Sequence, residues 1–492
     1  MNILGYADLE LRVRETDWSS LTAHLFPGDH DEHGAVLLCG RSRTERGDRL
    51  TVREVIPAID GVDYVAGTRG YRHLKGEFVT HQIRRARDLE LVYLAVHNHG
   101  GDDEVAFSGP DLDSHERAYP TLLKLSKRAV GALVCTRQAV AGDIWEVDGT
   151  RMHVGRTVVV GRSRRVLTPA PRRPLSRDDD FRFDRQALLF GSDGQGMLAS
   201  TTVAIIGCGG VGMILVELLA RLGVGRLIVI DPERIESTNL PRLPGASRRD
   251  AMEYFDRCGT PKWLRQFARR FTRHKVRVAQ RIAARANHQI IVEGIVGDVA
   301  DADIALRLRD ADYLLLAADT MLARDVVNQL SYQYLIPALQ VGSKVVIDPR
   351  TGNIGDVFAV VRHLGIAAGC LRCSGLIDPT RLAEEALGDP DQVARQRYVD
   401  DPDVHAPSVI TVNALGAAFA ANDLMMHTVG LGGAEPSHRF LRNRTVGRSG
   451  SNVTVVDPTA DSRCSVCSLA NSSALSRGDG FDLPTRVQPR QQ

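Results

Sequence analysis

The chain has 492 residues, 43% hydrophobic and 25% charged, with a formal net charge of +2. That length suits two or three domains, and the composition is ordinary for a globular protein. The small net charge gives no global electrostatic case for nucleic acid or membrane as a partner, and no run reaches the ~18 apolar residues of a membrane span. The first eight residues lack a basic and an apolar signal region, so a cytoplasmic location is expected. Arginine supplies nearly all cations; lysine occurs at six positions. Of eight cysteines, four form two Cys-x-x-Cys pairs, which favours metal in a reducing compartment over disulfides.

Residues 35–39, 50–56 and 91–96 are apolar runs that predict strands. Residues 81–87 and 113–127 have helical periodicity. The stretch 161–180 is rich in Arg, Pro and Ser without periodicity and is predicted to be a linker. From about 181 the pattern becomes strand, Gly-rich turn, helix, strand, which predicts a parallel α/β sheet. Residues 202–206, 227–230, 314–318 and 338–341 are its expected buried strands. Residues 475–492 are polar and are predicted to be a disordered tail.

His97 and His99 alternate at the end of a predicted strand, so both side chains face one way. With Asp111 they form a two-imidazole, one-carboxylate set, which leaves a fourth zinc position for water, as in catalytic sites. Zinc lowers the pKa of such a water to about 7. A general base is then required, and Glu32, just before the 35–39 strand, is the expected one. Glu54, inside a predicted strand, is a weaker rival. Ser108 is the candidate oxyanion donor.

The upstream Glu32, His97-x-His99 and Ser108-x-x-Asp111 resemble the JAB/MPN (JAMM) metalloprotease family over roughly residues 20–150. The resemblance implies a mixed sheet with helices over 1–160, a catalytic zinc on His97, His99 and Asp111, Glu32 as base and Ser108 as oxyanion donor. One departure is the spacer: eight residues separate His99 from Ser108, against the family's usual seven.

In the second half, Gly207, Gly209, Gly210 and Gly212 follow a predicted strand and open a helix, an arrangement that binds phosphate at helical N–H groups. Asp231 ends the next strand and is placed for ribose hydroxyls. Such a turn also occurs in NAD enzymes. Asn239-Leu240-Pro241-Arg242 follows, and Arg242, Lys275 and Asp319 add charge that suits a triphosphate with Mg²⁺ better than a nicotinamide pyrophosphate.

With the entry Arg182-Phe183-Asp184-Arg185-Gln186, these residues resemble the ThiF/MoeB/HesA family over about 180–470. The resemblance implies a Rossmann-like domain over 181–474 and ATP as cofactor. It implies Mg²⁺ on Asp319, and phosphate neutralisation by Arg185, Arg242 and Lys275. It also implies a homodimer in which Arg185 acts in trans. Cys370, Cys373, Cys464 and Cys467 fit a structural zinc site. Relatives that transfer the acyl group use a Cys between these pairs, but residues 401–424 offer Ser408 and no Cys. Cys258, in the Arg-rich insertion 243–272, is a weak substitute. Cys39, Cys135 and Cys208 are expected core cysteines.

The two resemblances together imply a bifunctional enzyme of a ubiquitin-like pathway. One part would adenylate the C-terminal Gly of a ubiquitin-like protein, with a conjugating enzyme as a further partner, and the other would trim or deconjugate it. Activation of a sulfur carrier for cofactor or cysteine synthesis is the alternative. An NAD-binding oxidoreductase beside an inert MPN scaffold is the alternative of another class.

Overall fold

The computed structural model describes residues 9–66, 72–170, 181–257, 259–347, 351, 353–365, 369–387, 407–432, 438–444, 453–457 and 459–486. They form two units. The first comprises Met1–Leu175 with Tyr332–Leu335 and Ser472–Asp482, and the second Ser176–Ser331, Ile336–Asn471 and Leu483–Gln492.

The first unit runs β1 (Leu9–Arg14), α1 (Glu15–Leu25), β2 (Gly34–Thr44), β3 (Gly47–Pro57), α2 (Gly76–Asp88), β4 (Val92–Asn98), α3 (Gly109–Ser126), β5 (Val130–Cys135), β6 (Val140–Trp145), β7 (Arg151–Val160) and β8 (Arg165–Leu167). The strand order is β1-β3-β2-β4-β5-β6-β7-β8, and β1 also pairs with β7, so the pairings close on themselves. Strand alternation then sorts β2 into two cores. Leu37 and Cys39 join Leu9, Leu50, Leu94 and Leu133 with Trp18 and Leu21 of α1. Val36 and Leu38 join Ile83 of α2, Tyr119 of α3 and Tyr93.

The second unit continues with α4 (Asp184–Ala199), β9 (Thr202–Ile206), α5 (Gly210–Leu222), β10 (Arg226–Ile230), α6 (Lys262–Arg269), α7 (Lys275–Ala286), β11 (Ile291–Ile295), α8 (Ala302–Arg307) and β12 (Tyr313–Leu316). It ends with α9 (Met321–Gln333), β13 (Ala338–Ile347), β14 (Ile354–Leu364), α10 (Pro379–Leu387), a helix Ile410–Thr428 (α11), β15 (His438–Arg444) and β16 (Val453–Val456). The sheet order is β11-β10-β9-β12-β13-β14-β15-β16. Its first five strands are parallel and the last three antiparallel. The central strands β10, β9 and β12 are buried and almost wholly apolar, as strands covered on both faces must be, whereas the edge strand β11 is partly exposed. Strand order reverses between β9 and β12, and such a switch point is where open α/β sheets place their ligands.

Two boundary expectations are corrected. The predicted linker 161–180 contains β8, which pairs with β7, so only part of it lies outside the sheet; residues 171–180 are outside the described residues. The predicted tail from 475 is ordered as far as 486: Leu475 and Ser476 are buried, and Thr51 donates a 3.0 Å hydrogen bond to the Ser476 carbonyl. Its polar composition hid this, because backbone carbonyls rather than apolar side chains hold it. Among the described residues no helix is long and apolar enough to cross a membrane.

Candidate functional site

The first cluster lies where β4 ends. His97 Nε2 and His99 Nε2 are 3.2 Å apart, and they stand 3.4 and 3.3 Å from the two Asp111 carboxylate oxygens. Tetrahedral zinc with ligand bonds near 2.0–2.1 Å puts its ligand atoms roughly 3.3 Å apart, so the donor set fits that ion. The His99 N–H donates to the Cys135 carbonyl at 2.9 Å, which fixes the residue just past the strand. Burial works against ionisation of Asp111, but hydrogen bonds from His97, His99 and Ser108 outweigh it and hold the carboxyl far below its ordinary range.

Glu32 reaches the cluster through register. Gly34 of β2 pairs with His97 of β4. One step on, His33 N–H donates to Asn98 Oδ1 at 2.5 Å, and Asn98 N–H donates to the His33 carbonyl at 3.3 Å. Antiparallel continuation sets Glu32 opposite His99. Burial raises the Glu32 carboxyl pKa, against the lowering pull of His97 and His99. Glu54, the rival, is held by Arg85 at 2.6 Å. Glu32 also lines two cavities, of about 410 Å³ and 480 Å³, the first bordered by His97 and Asp111 and the second by His99.

Ser108 stands at the start of α3 beside Asp111. Its hydroxyl donates to Asp111 Oδ2 at 2.7 Å and caps α3, while its N–H donates to the same carboxylate oxygen at 2.8 Å. The Ser-x-x-Asp spacing is a capping box. It starts α3 at Gly109, ahead of the predicted 113, and aims Asp111 at the histidines. Asn98 is the residue sequence reasoning missed; its signal was its place between the two histidines.

The second cluster surrounds the turn after β9. Gly207 has φ +95° and would bring a Cβ within 2.8 Å of the Ala318 nitrogen. A Cβ on Gly212 would overlap the Gly207 carbonyl oxygen, and one on Gly210 would overlap the Asn413 amide. Gly209 faces open space. Three glycines are thus required by packing, and Gly209 alone leaves room for a ligand at the α5 N-terminus.

The segments that carry Arg242, Lys275 and Asp319 border this turn, and the Arg242 side chain donates to the Thr238 carbonyl at 2.7 Å. The Arg242 carbonyl lies 3.4 Å from where a Gly210 Cβ would stand. Lys275, the first residue of α7, pairs with Glu233 and acts electrostatically on Asp231 and Cys208. Asp319 follows Ala317 and Ala318, which pack against Gly207. Both Asp231 oxygens accept backbone N–H groups, Oδ2 from Cys208 at 2.7 Å and Oδ1 from Glu233 at 2.8 Å. Burial raises its pKa, with Lys275 opposing. Asn239 Oδ1 accepts from Glu236 N–H at 3.2 Å and so shapes its own loop.

Arg185 is not brought to the turn. Its neighbour Gln186 donates to the Leu222 carbonyl at 2.9 Å, at the far end of α5. Thirteen residues of helix put that end roughly 18 Å from the glycines. Asn413 and Glu233 were missed. Asn413 is buried on α11, accepts from Ser343 Oγ at 2.6 Å and donates to Ser408 Oγ at 3.2 Å. No local pattern marks it, since its partners are 70 and 5 residues away.

The four cysteines converge as expected from their spacing. Cys370 Sγ lies 3.7 Å from Cys373 and 3.6 Å from Cys464, and Cys373 lies 3.5 Å from Cys467. Zn–S bonds of 2.3 Å give tetrahedral edges of about 3.8 Å, so the set fits structural zinc. A hydrogen bond from Cys467 brings the Cys370 thiol down to about 5, against burial. Cys39, Cys135 and Cys208 are buried. Cys258 lies outside the described residues.

A parallel sheet with a glycine turn at its switch point, followed by a four-thiol cluster, defines a Rossmann-like α/β unit. Residues 183–466 match the model of the ThiF family, and the chain belongs to that family. It is 48% identical over 75 residues to the adenylyltransferase and sulfurtransferase MOCS3 of Mus musculus, covering 15% of this chain and 16% of that one. It is 29% identical over 194 residues to the sulfur carrier protein ThiS adenylyltransferase of Bacillus subtilis, covering 39% and 49%. It is 28% identical over 151 residues to the SAMP-activating enzyme E1 of Haloferax volcanii, covering 30% and 48%. The chain thus spans between about a sixth and about half of these relatives. A solved structure of E. coli MccB with succinimide is similar over 59% of this chain and 75% of that one, at 22% identity and TM-score 0.41.

Proposed function

We propose that the second unit uses ATP to adenylate the C-terminal carboxylate of a small sulfur-carrier or ubiquitin-like protein. The observation that supports this most is the open face at Gly209 in a ThiF-family sheet, in a turn bordered by the segments that carry Arg242, Lys275 and Asp319. The carboxylate attacks the α-phosphate, giving an acyl-adenylate and pyrophosphate. Arg242 and Lys275 neutralise phosphate charge, and Asp319 holds Mg²⁺. Catalysis is by positioning and electrostatics. The names of the mouse and Bacillus relatives favour a sulfur carrier over a conjugated modifier. Arg185, remote from the turn within one chain, acts across a homodimer. The test is carrier-dependent ATP–pyrophosphate exchange, which Asp319→Ala abolishes; exchange independent of a carrier, or undiminished in the variant, contradicts the reading.

The first unit, in the same reading, is a JAB/MPN-type zinc peptidase that trims the carrier or releases it from adducts. His97, His99 and Asp111 would hold zinc, which would supply Lewis acidity and an acidified water. With zinc bound, Glu32 would serve as the general base beside it and as the proton donor to the leaving amine. Ser108 keeps the Asp111 carboxylate aimed. Cleavage of a carrier bearing a C-terminal extension is the assay, and activity retained in Glu32→Gln would refute the role of Glu32.

A further inference from the structure

The insertion 243–272 is bracketed by two residues of the nucleotide site, Arg242 before it and Lys275 just after it. It is clamped at its root. Asp250 is buried and takes Arg281 at 2.6 Å and Arg273 at 3.1 Å, and Arg273 N–H donates to the Asp250 carbonyl at 2.8 Å. From this root projects α6, whose Ala268 is buried while Trp263 and Phe267 are 68% and 51% exposed; Phe271, two residues past its end, is 60% exposed. Trp263 and Phe267, four residues apart on α6, share one face, and the Phe271 ring packs on Phe267 with centroids 5.1 Å apart, which continues the ridge. Residues 262–273 carry Lys262, Arg265, Arg269, Arg270 and Arg273 and no acidic residue.

Large apolar side chains gathered on a surface ridge mark an interaction site more often than chance. The cationic flanks decide among occupants. A second copy packed face to face would set like charge against like charge, which is unfavourable in the low dielectric of an interface. Stacked nucleobases need open ring faces, but Phe267 and Phe271 tilt 60° onto each other with centroids 5.1 Å apart. An acidic protein surface with an apolar centre matches both the rings and the charges.

We propose that the Trp263–Phe267–Phe271 ridge docks the protein whose C-terminus is adenylated, through an acidic face around an apolar patch. This rests on the adenylation reading above. In the chain the ridge lies between Arg242 and Lys275, so the segment that would hold the carrier is rooted at both ends in the nucleotide site. The docking residues touch neither ATP nor the reacting carboxylate, so they set carrier affinity alone.

The experiment uses the full chain with ThiS of Bacillus subtilis as probe in ATP–pyrophosphate exchange. Trp263→Ser, Phe267→Ser and Phe271→Ser combined should raise KM for ThiS at least tenfold, leaving kcat and KM for ATP unchanged. Charge reversal at Arg269 and Arg270 should raise the same KM, more so at low salt. Asp319→Ala should instead remove kcat. An unchanged KM for ThiS in the triple variant, with wild-type exchange intact, overturns the docking proposal and leaves the adenylation reading standing. Wild-type binding to vesicles of anionic phospholipid or to single-stranded RNA that the triple variant loses, with KM for ThiS unmoved, also overturns it. Absence of exchange in the wild type overturns the adenylation reading and the docking with it.

Discussion

Asn98 Oδ1 accepts the His33 N–H at 2.5 Å, and the Asn98 N–H returns a bond to the His33 carbonyl. This pair extends the β2–β4 ladder by one residue beyond Gly34 and His97, and it carries Glu32 to the two-histidine cluster. Asn98→Ala removes the side-chain half and leaves a part-buried N–H unpaired. The expected cost is about 1 kcal/mol in chemical denaturation. Zinc content should stay at the wild-type level while cleavage of a tailed carrier falls at least tenfold.

Ser108→Ala removes the N-cap of α3 and one hydrogen bond to Asp111. A stability loss of about 1 kcal/mol is expected, and the first-unit zinc should be released at a lower chelator concentration than in wild type. Ser108→Thr restores the cap and should restore both. Metal retention equal to wild type in Ser108→Ala would contradict a positioning role for the hydroxyl.

Gly212→Ala and Gly209→Ala separate packing from ligand room. The methyl at 212 meets the Gly207 carbonyl, which cannot rotate away. A loss of about 2 kcal/mol or more is expected. The methyl at 209 meets nothing within 4 Å and the residue has φ −72°, so stability should change by less than about 1 kcal/mol. ATP affinity, read by calorimetry, should nonetheless drop in Gly209→Ala.

Cys370→Ser takes one corner from the four-thiol cluster. Zinc content should fall by one ion per chain, and the melting temperature should fall with it, because metal binding is linked to folding. Loss of the second zinc, by His97→Ala, should leave the melting temperature closer to wild type.

Asp250 confers a pH dependence on the insertion root. Burial works against its ionisation, but hydrogen bonds from Arg281 and Ser247 outweigh this and hold its carboxyl at about 2. A depressed carboxylate stabilises the fold above its unfolded pKa of roughly 3.9 and loses that contribution as pH falls toward the folded value. Its arginine partners are partly solvent-exposed, so the contribution is on the order of 1–2 kcal/mol. The stability gap between wild type and Asp250→Asn should therefore be constant from pH 7 to 5 and close between pH 4 and 2.

The strands, the glycine turn and both Cys-x-x-Cys pairs were legible because their signals are local: apolar alternation, φ > 0 positions and fixed spacing. The same holds for His97, His99 and Asp111, which one strand end and one capped helix bring together. Tertiary structure alone decided the rest. The register of β2 on β4 carries Glu32 toward the histidines, a relation between residues 65 apart, while Glu54 pairs with Arg85. Arg185 was separated from the glycines by the length of α5, which composition does not encode. Asn413 met Gly210 only because α11 packs on α5. Ordering of 475–486 depended on carbonyls paired with residues hundreds of positions away, such as Thr51. Pattern along a chain specifies which surfaces can be buried; which distant side chains then face one another follows from the packing that buries them.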